Sequence, residues 1–307
     1  AYNGVTTGQN LADRRTSGEL IAEAVEKART ADYVIFFGGL NKSDYQDSEG
    51  HDRKDYGLPY GQDRVVEALA KANRNMVYVN ISGNAVAMPW LRRVAAVVQG
   101  WFIGSEAGEA LASVLVGDVS PSGKLPFTWP VALNDVGAHR LDAYPGVWRD
   151  DKKIIDEEYK EDIFVGYRWA EKEKIRPLFA FGHGLSYTTF KVGNVRADKT
   201  ELNADGTITF TVSVTNTGRR AGAEVVQLYV TDVKSSLPRP LKELKGFAKV
   251  SLNPGETRDV AITIGRDALS FYDDRAGTWI AEPGTFVAQI GTAADKIVSR
   301  MTFRLAE

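Results

Sequence analysis

Residues 33–39 read YVIFFGG. Five apolar residues rich in β-branched and aromatic side chains are too few for a helix, and the two glycines close the run, so the stretch predicts a short strand buried on both faces. Upstream, Thr16 followed three residues later by Glu19 forms a capping-box pattern. Leu20, Ile21, Ala24, Val25 and Ala28 then recur at helical spacing, which predicts a helix ending near Arg29. Downstream the pattern repeats: a helical stretch over 62–72, a strand over 76–81, a second apolar run over 95–101 and a helix from about 106 to 116. Strands alternating with helices predict an α/β layer with a mostly parallel sheet.

Beyond GDVSPSGKLPFTWP (117–130) the periodicity disappears, and a polar, turn-rich segment runs to about Tyr159, read as a connector or covering loop. From Phe190 the pattern becomes alternation. Ile208, Phe210, Val212 and Val214 fall on one face, followed by EVVQLYV (224–230), RDVAITI (258–264) and TFVAQI (285–290). Turn signals at Asn216-Thr217-Gly218, Asn253-Pro254-Gly255 and Pro283-Gly284 separate these runs. Short strands at this spacing predict an antiparallel, all-β sandwich of immunoglobulin or fibronectin type III layout. The resulting division is an α/β domain over 1–130, expected to lack its N-terminal start, a connector over 131–189, and the sandwich over 190–307.

The 307 residues exceed the usual size of one domain. Lysine plus arginine (38) nearly balance aspartate plus glutamate (40), so no strong field selects nucleic acid or an anionic membrane surface. There is no cysteine, which excludes disulfide and thiolate chemistry, and three histidines give little basis for a structural zinc site. No apolar run approaches the roughly 18 residues of a membrane span. The start, AYNGVTTGQNLADRR, reads as loop and lacks the layout of a signal peptide, so further residues are expected upstream.

The long connection between the first strand and its helix stands out, because βα connections usually take about 2–6 residues. Its core, NKSDYQDSEGHDRKDYGLPYGQ (41–62), concentrates Asp44, Asp47, Glu49, Asp52 and Asp55 with His51, Arg53 and Lys54. Composition alone fits a solvated surface loop. Against that reading, the loop leaves the C-terminal end of a strand, where ligand sites gather in parallel sheets. Its carboxylates also lie among Tyr45, Tyr56, Leu58 and Tyr60, and like charges and apolar rings can raise a carboxyl pKa toward the range a general acid needs.

SEGHDRKDYGLPYGQ (48–62) closely resembles the loop of family 3 glycoside hydrolases in which an acidic residue precedes G-x-D-R and a later L-P-x-x-Q. Further stretches are similar in the same order. VVQGWFIGSEAGEALASVLVGDVSPSGKLPFTWP (97–130) looks like part of that family's α/β sandwich domain. PLFAFGHGLSYTTF (177–190) resembles the segment that joins it to a fibronectin-type domain, and RPLKELKGFAKVSLNPGET (239–257) a stretch of that last domain.

The resemblance implies retaining hydrolysis of β-glycosidic bonds, most simply as a β-glucosidase. An aspartate nucleophile would come from an N-terminal (β/α)₈ barrel and a glutamate acid/base from the sandwich domain. Glu49 matches that glutamate, with Asp47 in reserve; the nucleophile's S-D-W-type segment is absent, as expected of a chain that begins after the barrel. Tyr45, His51, Asp52 and Arg53 are candidate substrate contacts; Asp52 and Arg53 read equally well as a loop-stabilising ion pair, and His51 and the tyrosines read first as residues that pin the loop. The implied partners are a β-linked oligosaccharide or glycoside and the barrel, and a homo-oligomer is compatible. No cofactor or metal is called for, because protonation and carboxylate attack complete the chemistry. By analogy with the family the protein is expected to be periplasmic or secreted. A β-xylosidase or other family 3 specificity, or a non-catalytic carbohydrate-binding or surface module, stays open. Of the remaining motifs, Trp101, Gly104, Glu106 and Gly108 read as strand–helix packing and capping, and His183 and Tyr187 as anchors of the turn that precedes the sandwich.

Overall fold

In the computed structural model, which describes residues 15–151, 153–203 and 205–307, the expected capping box forms at the first helix, α1 (Ser17–Thr30). The Thr16 side chain accepts the Glu19 N–H, and the Glu19 carboxylate accepts the Thr16 N–H at 2.7 Å, so two backbone donors that a helix start leaves unpaired are satisfied reciprocally. There follow β1 (Val34–Gly39), α2 (Gln62–Ala72), β2 (Met76–Ile81), β3 (Ala96–Gln99) and α3 (Ala107–Val116). The three strands form a parallel sheet in the order β1-β2-β3. Asn73, just past α2, donates through its side chain to the carbonyls of Ala28 (3.0 Å) and Ala31 (2.7 Å), tying together the ends of the two helices.

One face of this sheet is well packed. Met76, Tyr78 and Asn80 are fully buried there, with the Phe36 ring stacked on Tyr78 at 5.8 Å and Trp90 tilted against it at 4.4 Å. The other face departs from the expectation of a strand buried on both sides: Ile35 is 47% and Phe37 56% exposed. The physical reason lies in position. β1 is the edge of a three-stranded sheet, and the cover on this face comes at its far end, where a Cβ on Gly100 would meet Ile81 Cδ1 at 2.7 Å and Leu111 Cδ2 of α3 at 3.5 Å.

The chain forms two compact units that part between Ser113 and Val114. In the second, residues 131–189 hold more regular structure than a connector: α4 (Gly137–Arg140), the hairpin β4 (Val147–Arg149) and β5 (Ile154–Asp156), and α5 (Tyr167–Lys172). These short pieces are fastened by tertiary bonds. Trp169 Nε1 donates to the Asp135 carbonyl at 3.1 Å, and the Tyr167 hydroxyl accepts the Leu244 N–H at 2.9 Å. Tyr187 donates to the Val114 carbonyl at 2.7 Å, and His183 stacks on Phe179. Both act as anchors within this unit.

The β-sandwich comprises β6 (Phe190–Val192), β7 (Arg196–Ala197), β8 (Glu201–Leu202), β9 (Thr207–Asn216), β10 (Gly222–Asp232), β11 (Glu243–Leu252), β12 (Thr257–Gly265), β13 (Phe271–Asp273), β14 (Thr278–Ile280), β15 (Gly284–Ala293) and β16 (Lys296–Leu305). One sheet runs β11-β10-β15-β16-β8 and the other β12-β9-β6, with β7 also on β9 and the hairpin β13-β14 apart. All pairings are antiparallel except β8 with β16. The alternation in β9 is realised, since Ile208, Phe210, Val212 and Val214 are buried in a core shared with both sheets. Rings from three strands meet there, Phe303 lying edge-on to Phe210 and stacked on Phe286.

Candidate functional site

The acid-rich loop begins where β1 ends. Gly39 has φ +126°, and a Cβ there would stand 2.1 Å from the Ile81 carbonyl oxygen, so only glycine lets the two strands run this close. Backbone groups alternate in direction along a strand. The Val34 and Leu40 N–H groups point to β2, bonding Asn75 and Ile81 carbonyls, so those of Gly39 point to the free edge. There the buried Gln62 side chain satisfies both: its Oε1 accepts the Gly39 N–H and its Nε2 donates to the Gly39 carbonyl, each at 2.8 Å. The start of α2 is thereby locked to the end of β1, fixing both ends of the intervening loop.

Within the loop, Gln46 is the buried hub. Its Oε1 accepts the Asn41 N–H at 3.1 Å, and its Nε2 donates to the Tyr60 hydroxyl at 2.6 Å. A tighter turn closes inside it, since Tyr45 N–H (3.2 Å) and Ser48 Oγ (3.2 Å) both donate to the His51 carbonyl. Glu49 lies in this turn. Its side chain is exposed and has no hydrogen bond or ion pair to the described residues.

The turn is stitched to the segment after β2 from both sides. Asp47 Oδ2 accepts the Gly83 N–H at 2.7 Å, and its Oδ1 accepts the Asn84 side-chain amide. On the other side, Arg53 Nη2 donates to the Ala85 carbonyl at 2.6 Å and the Ala87 N–H to the Tyr56 carbonyl at 2.9 Å. The segment that receives these bonds is itself firm. Buried Asn80 and Ser82 bond to each other at 2.7 Å, and Gln99 Nε2 donates to the Ser82 carbonyl at 2.9 Å.

The loop therefore brings Glu49, Asp47, His51 and Arg53 onto one short stretch but gives them different surroundings. Burial lowers the Arg53 pKa from its ordinary value, with the nearby Asp47 charge opposing, and its Nη1 is buried without a hydrogen-bond partner among the described residues. Tyr45 is half exposed, edge-on to His51, and lies under the Lys54 ammonium at 4.2 Å. His51 Nδ1 stands 3.5 Å from Asp44, both exposed, and Asp52 is exposed. The expectation that apolar rings of the loop would enclose its carboxylates is corrected for Glu49: Tyr45 and Tyr60 turn outward, and the loop's own residues leave Glu49 open. In the first turn of α2, burial raises the pKa of Asp63, whose carboxylate accepts Trp90 Nε1 at 2.6 Å. Sequence reasoning missed Gln62, Gly83 and Asn84 as parts of the arrangement; for Gln62 the signal was present, as the fixed end of L-P-x-x-Q.

Among the described residues no group of three His, Cys, Asp or Glu side chains is placed to hold a metal ion, and no helix is long and apolar enough to cross a membrane. A shallow groove lined by Arg29, Asp32, Tyr33 and Asn73–Asn75 lies at the opposite end of the strands and shares no residue with the loop.

Residues 2–187 match the model of the glycosyl hydrolase family 3 C-terminal domain. The chain belongs to glycoside hydrolase family 3. Residues 224–294 match the fibronectin type III-like domain, in agreement with the sandwich. Among family 3 relatives, a beta-glucosidase of Bacteroides ovatus is 48% identical over 308 residues, which cover 98% of this chain and 40% of that protein. A thermostable beta-glucosidase B of Acetivibrio thermocellus is 42% identical over 298 residues, which cover 97% of this chain and 38% of that protein. The crystal structure of the Kluyveromyces marxianus beta-glucosidase in complex with glucose superposes with a TM-score of 0.87 at 39% identity, over 96% of this chain and 34% of that one. The chain thus spans about two-fifths or less of the length of these family 3 relatives.

Proposed function

We propose that this chain supplies the general acid/base of a retaining β-glucosidase, with Glu49 as the proton donor and the aspartate nucleophile contributed by a (β/α)₈ barrel outside it. The observation that carries the reading is the contrast at the loop. Asp47 and Arg53 are committed to bonds that hold the turn, whereas Glu49 between them is exposed and has no hydrogen bond or ion pair among the described residues, at the end of a parallel sheet. A proton donor needs that freedom, because its carboxyl must reach the leaving oxygen, about 5–5.5 Å from the nucleophilic carboxylate in a retaining site. The environment suited to a protonated acid at neutral pH would come from the barrel and the sugar, since the loop itself does not enclose Glu49. The naming of the relatives as beta-glucosidases supports a β-glucoside as substrate.

Joined to its barrel, the protein carrying Glu49→Gln is expected to lose on the order of 10²–10⁴-fold in kcat/KM on cellobiose. It should retain far more activity on aryl glucosides whose leaving groups need no protonation. Azide should restore turnover of those aryl substrates by attacking the glycosyl-enzyme without a general base. Unchanged hydrolysis of cellobiose by the variant would remove Glu49 from the role.

A further inference from the structure

We infer that Asp47 is a positioning residue for Glu49, acting through Gly83 and Asn84, rather than a second proton donor. The inference rests on Glu49 as the acid/base and adds how that residue is aimed. Asp47 stands two residues before Glu49, and both of its carboxylate oxygens are taken: one by the Gly83 N–H at 2.7 Å, the other by the Asn84 amide. Both partners are donors, so each Asp47 oxygen is engaged as an acceptor in holding the loop to the segment after β2. The same carboxylate opposes the effect of burial on Arg53, four residues past Glu49, whose guanidinium reaches Ala85. Glu49 is consequently suspended between two struts that land on neighbouring residues, 83–84 and 85.

The base of those struts is determined by the sheet. Gly83 to Ala85 follow directly on β2, and Ser82 before them is fully buried, held by Asn80 and Gln99. Gly83 and Asn84 are themselves exposed, and Asp47 is half-buried, so the bonds act as guides for a loop more than as a source of stability. Backbone hydrogen bonds from Asp47 N–H to the Asn41 carbonyl (3.0 Å) and from Gln46 N–H to the Ser43 carbonyl (3.2 Å) fix the approach of the chain on the near side. A small displacement of a catalytic group costs rate steeply, on the order of 10²-fold for about 1 Å.

The test uses Asp47→Asn and Asn84→Ala in the protein joined to its barrel, each also combined with Glu49→Gln. Asp47→Asn sets an amide N–H₂ against one of two donors and so breaks one strut bond while keeping size. It is expected to lower kcat on cellobiose on the order of 10–100-fold, with KM within about twofold and no rescue by azide. In the Glu49→Gln background the same change should cost less than about twofold, because there is no longer a carboxylate to aim. Asn84→Ala should give a smaller loss of the same pattern. Equal losses from Asp47→Asn in both backgrounds would overturn the inference, as would full activity of the variant. If instead Asp47→Asn were rescued by azide while Glu49→Gln hydrolysed cellobiose normally, Asp47 would be the donor and the assignment of Glu49 would fall with it. A thermal melt of each variant separates loss of folded protein from loss of aim.

Discussion

Replacing Gln62 with methionine tests the junction that holds the acid-bearing loop. The change keeps side-chain volume, so packing alone should cost less than about 1.5 kcal/mol. It removes two bonds of 2.8 Å to the buried Gly39 backbone and one of 3.2 Å to the Pro59 carbonyl. Gly39 is shut away from water, so its N–H and C=O lose their partners without replacement, at about 1–3 kcal/mol for each group. Allowing for relaxation of an edge strand, the first unit should lose about 3 kcal/mol, which raises the population of locally opened strand about a hundredfold, since each 1.4 kcal/mol is tenfold. Hydrogen exchange read at Leu40 measures this cleanly, because its N–H keeps its own bond to the Ile81 carbonyl and reports opening rather than the lost contact. Gly39 should exchange faster still, while amides of β10 and β15 should be unaffected. If Leu40 kept its protection and urea unfolding shifted by less than about 0.5 kcal/mol, the side-chain amide would not be what closes this edge.

Substitutions at two further places probe charge. Lys242→Met leaves the Glu171 carboxylate half-enclosed without its ammonium partner and should destabilise the sandwich unit by about 3 kcal/mol in urea unfolding. Adding Glu171→Leu should recover most of that loss, because a well-packed apolar pair replaces a buried ion pair at little cost. At Asp63 burial raises the carboxyl pKa above its ordinary 3.8, so the folded chain takes up a proton before the unfolded one as pH falls. The stability tied to that proton is complete below the unfolded pKa and is lost as pH rises through the folded one. Asp63→Asn, which keeps an acceptor for Trp90, should therefore match or exceed the parent at pH 7 in thermal melts. Its advantage should shrink as the pH is lowered toward 4, and an advantage that grew on acidification would contradict the direction.

What could be read from the sequence was whatever local pattern determines. The span 62–72 forms its helix and 76–81 its strand because an amphipathic or apolar run of that length has few alternatives, and Thr16 with Glu19 caps α1 through bonds three residues apart. The four inward residues of β9 followed from their period of two. Where the sequence fell short, the deciding partner lay far along the chain. The loop motif favours Glu49 and holds Asp47 in reserve, but it does not show that Asp47 is bonded to Gly83 and Asn84, 36 and 37 residues away. The short helix α5 rests on Trp169 reaching Asp135 and Tyr167 reaching Leu244, contacts that no run of six residues announces. For β1, an apolar run shows that a strand prefers cover on both sides, but not which part of a protein provides it.

The amide of Gln62 has a consequence for how the sheet can grow. Along the outer edge of β1, Ile35, Phe37 and Gly39 have the same orientation as successive rungs of a ladder, and Gln62 occupies the last of them with a side chain that imitates a neighbouring strand. Any strand laid against this edge can use the rungs at Ile35 and Phe37 but must halt before Gly39. Lateral pairing is thus terminated one residue short of the loop, at the point where the chain leaves the sheet.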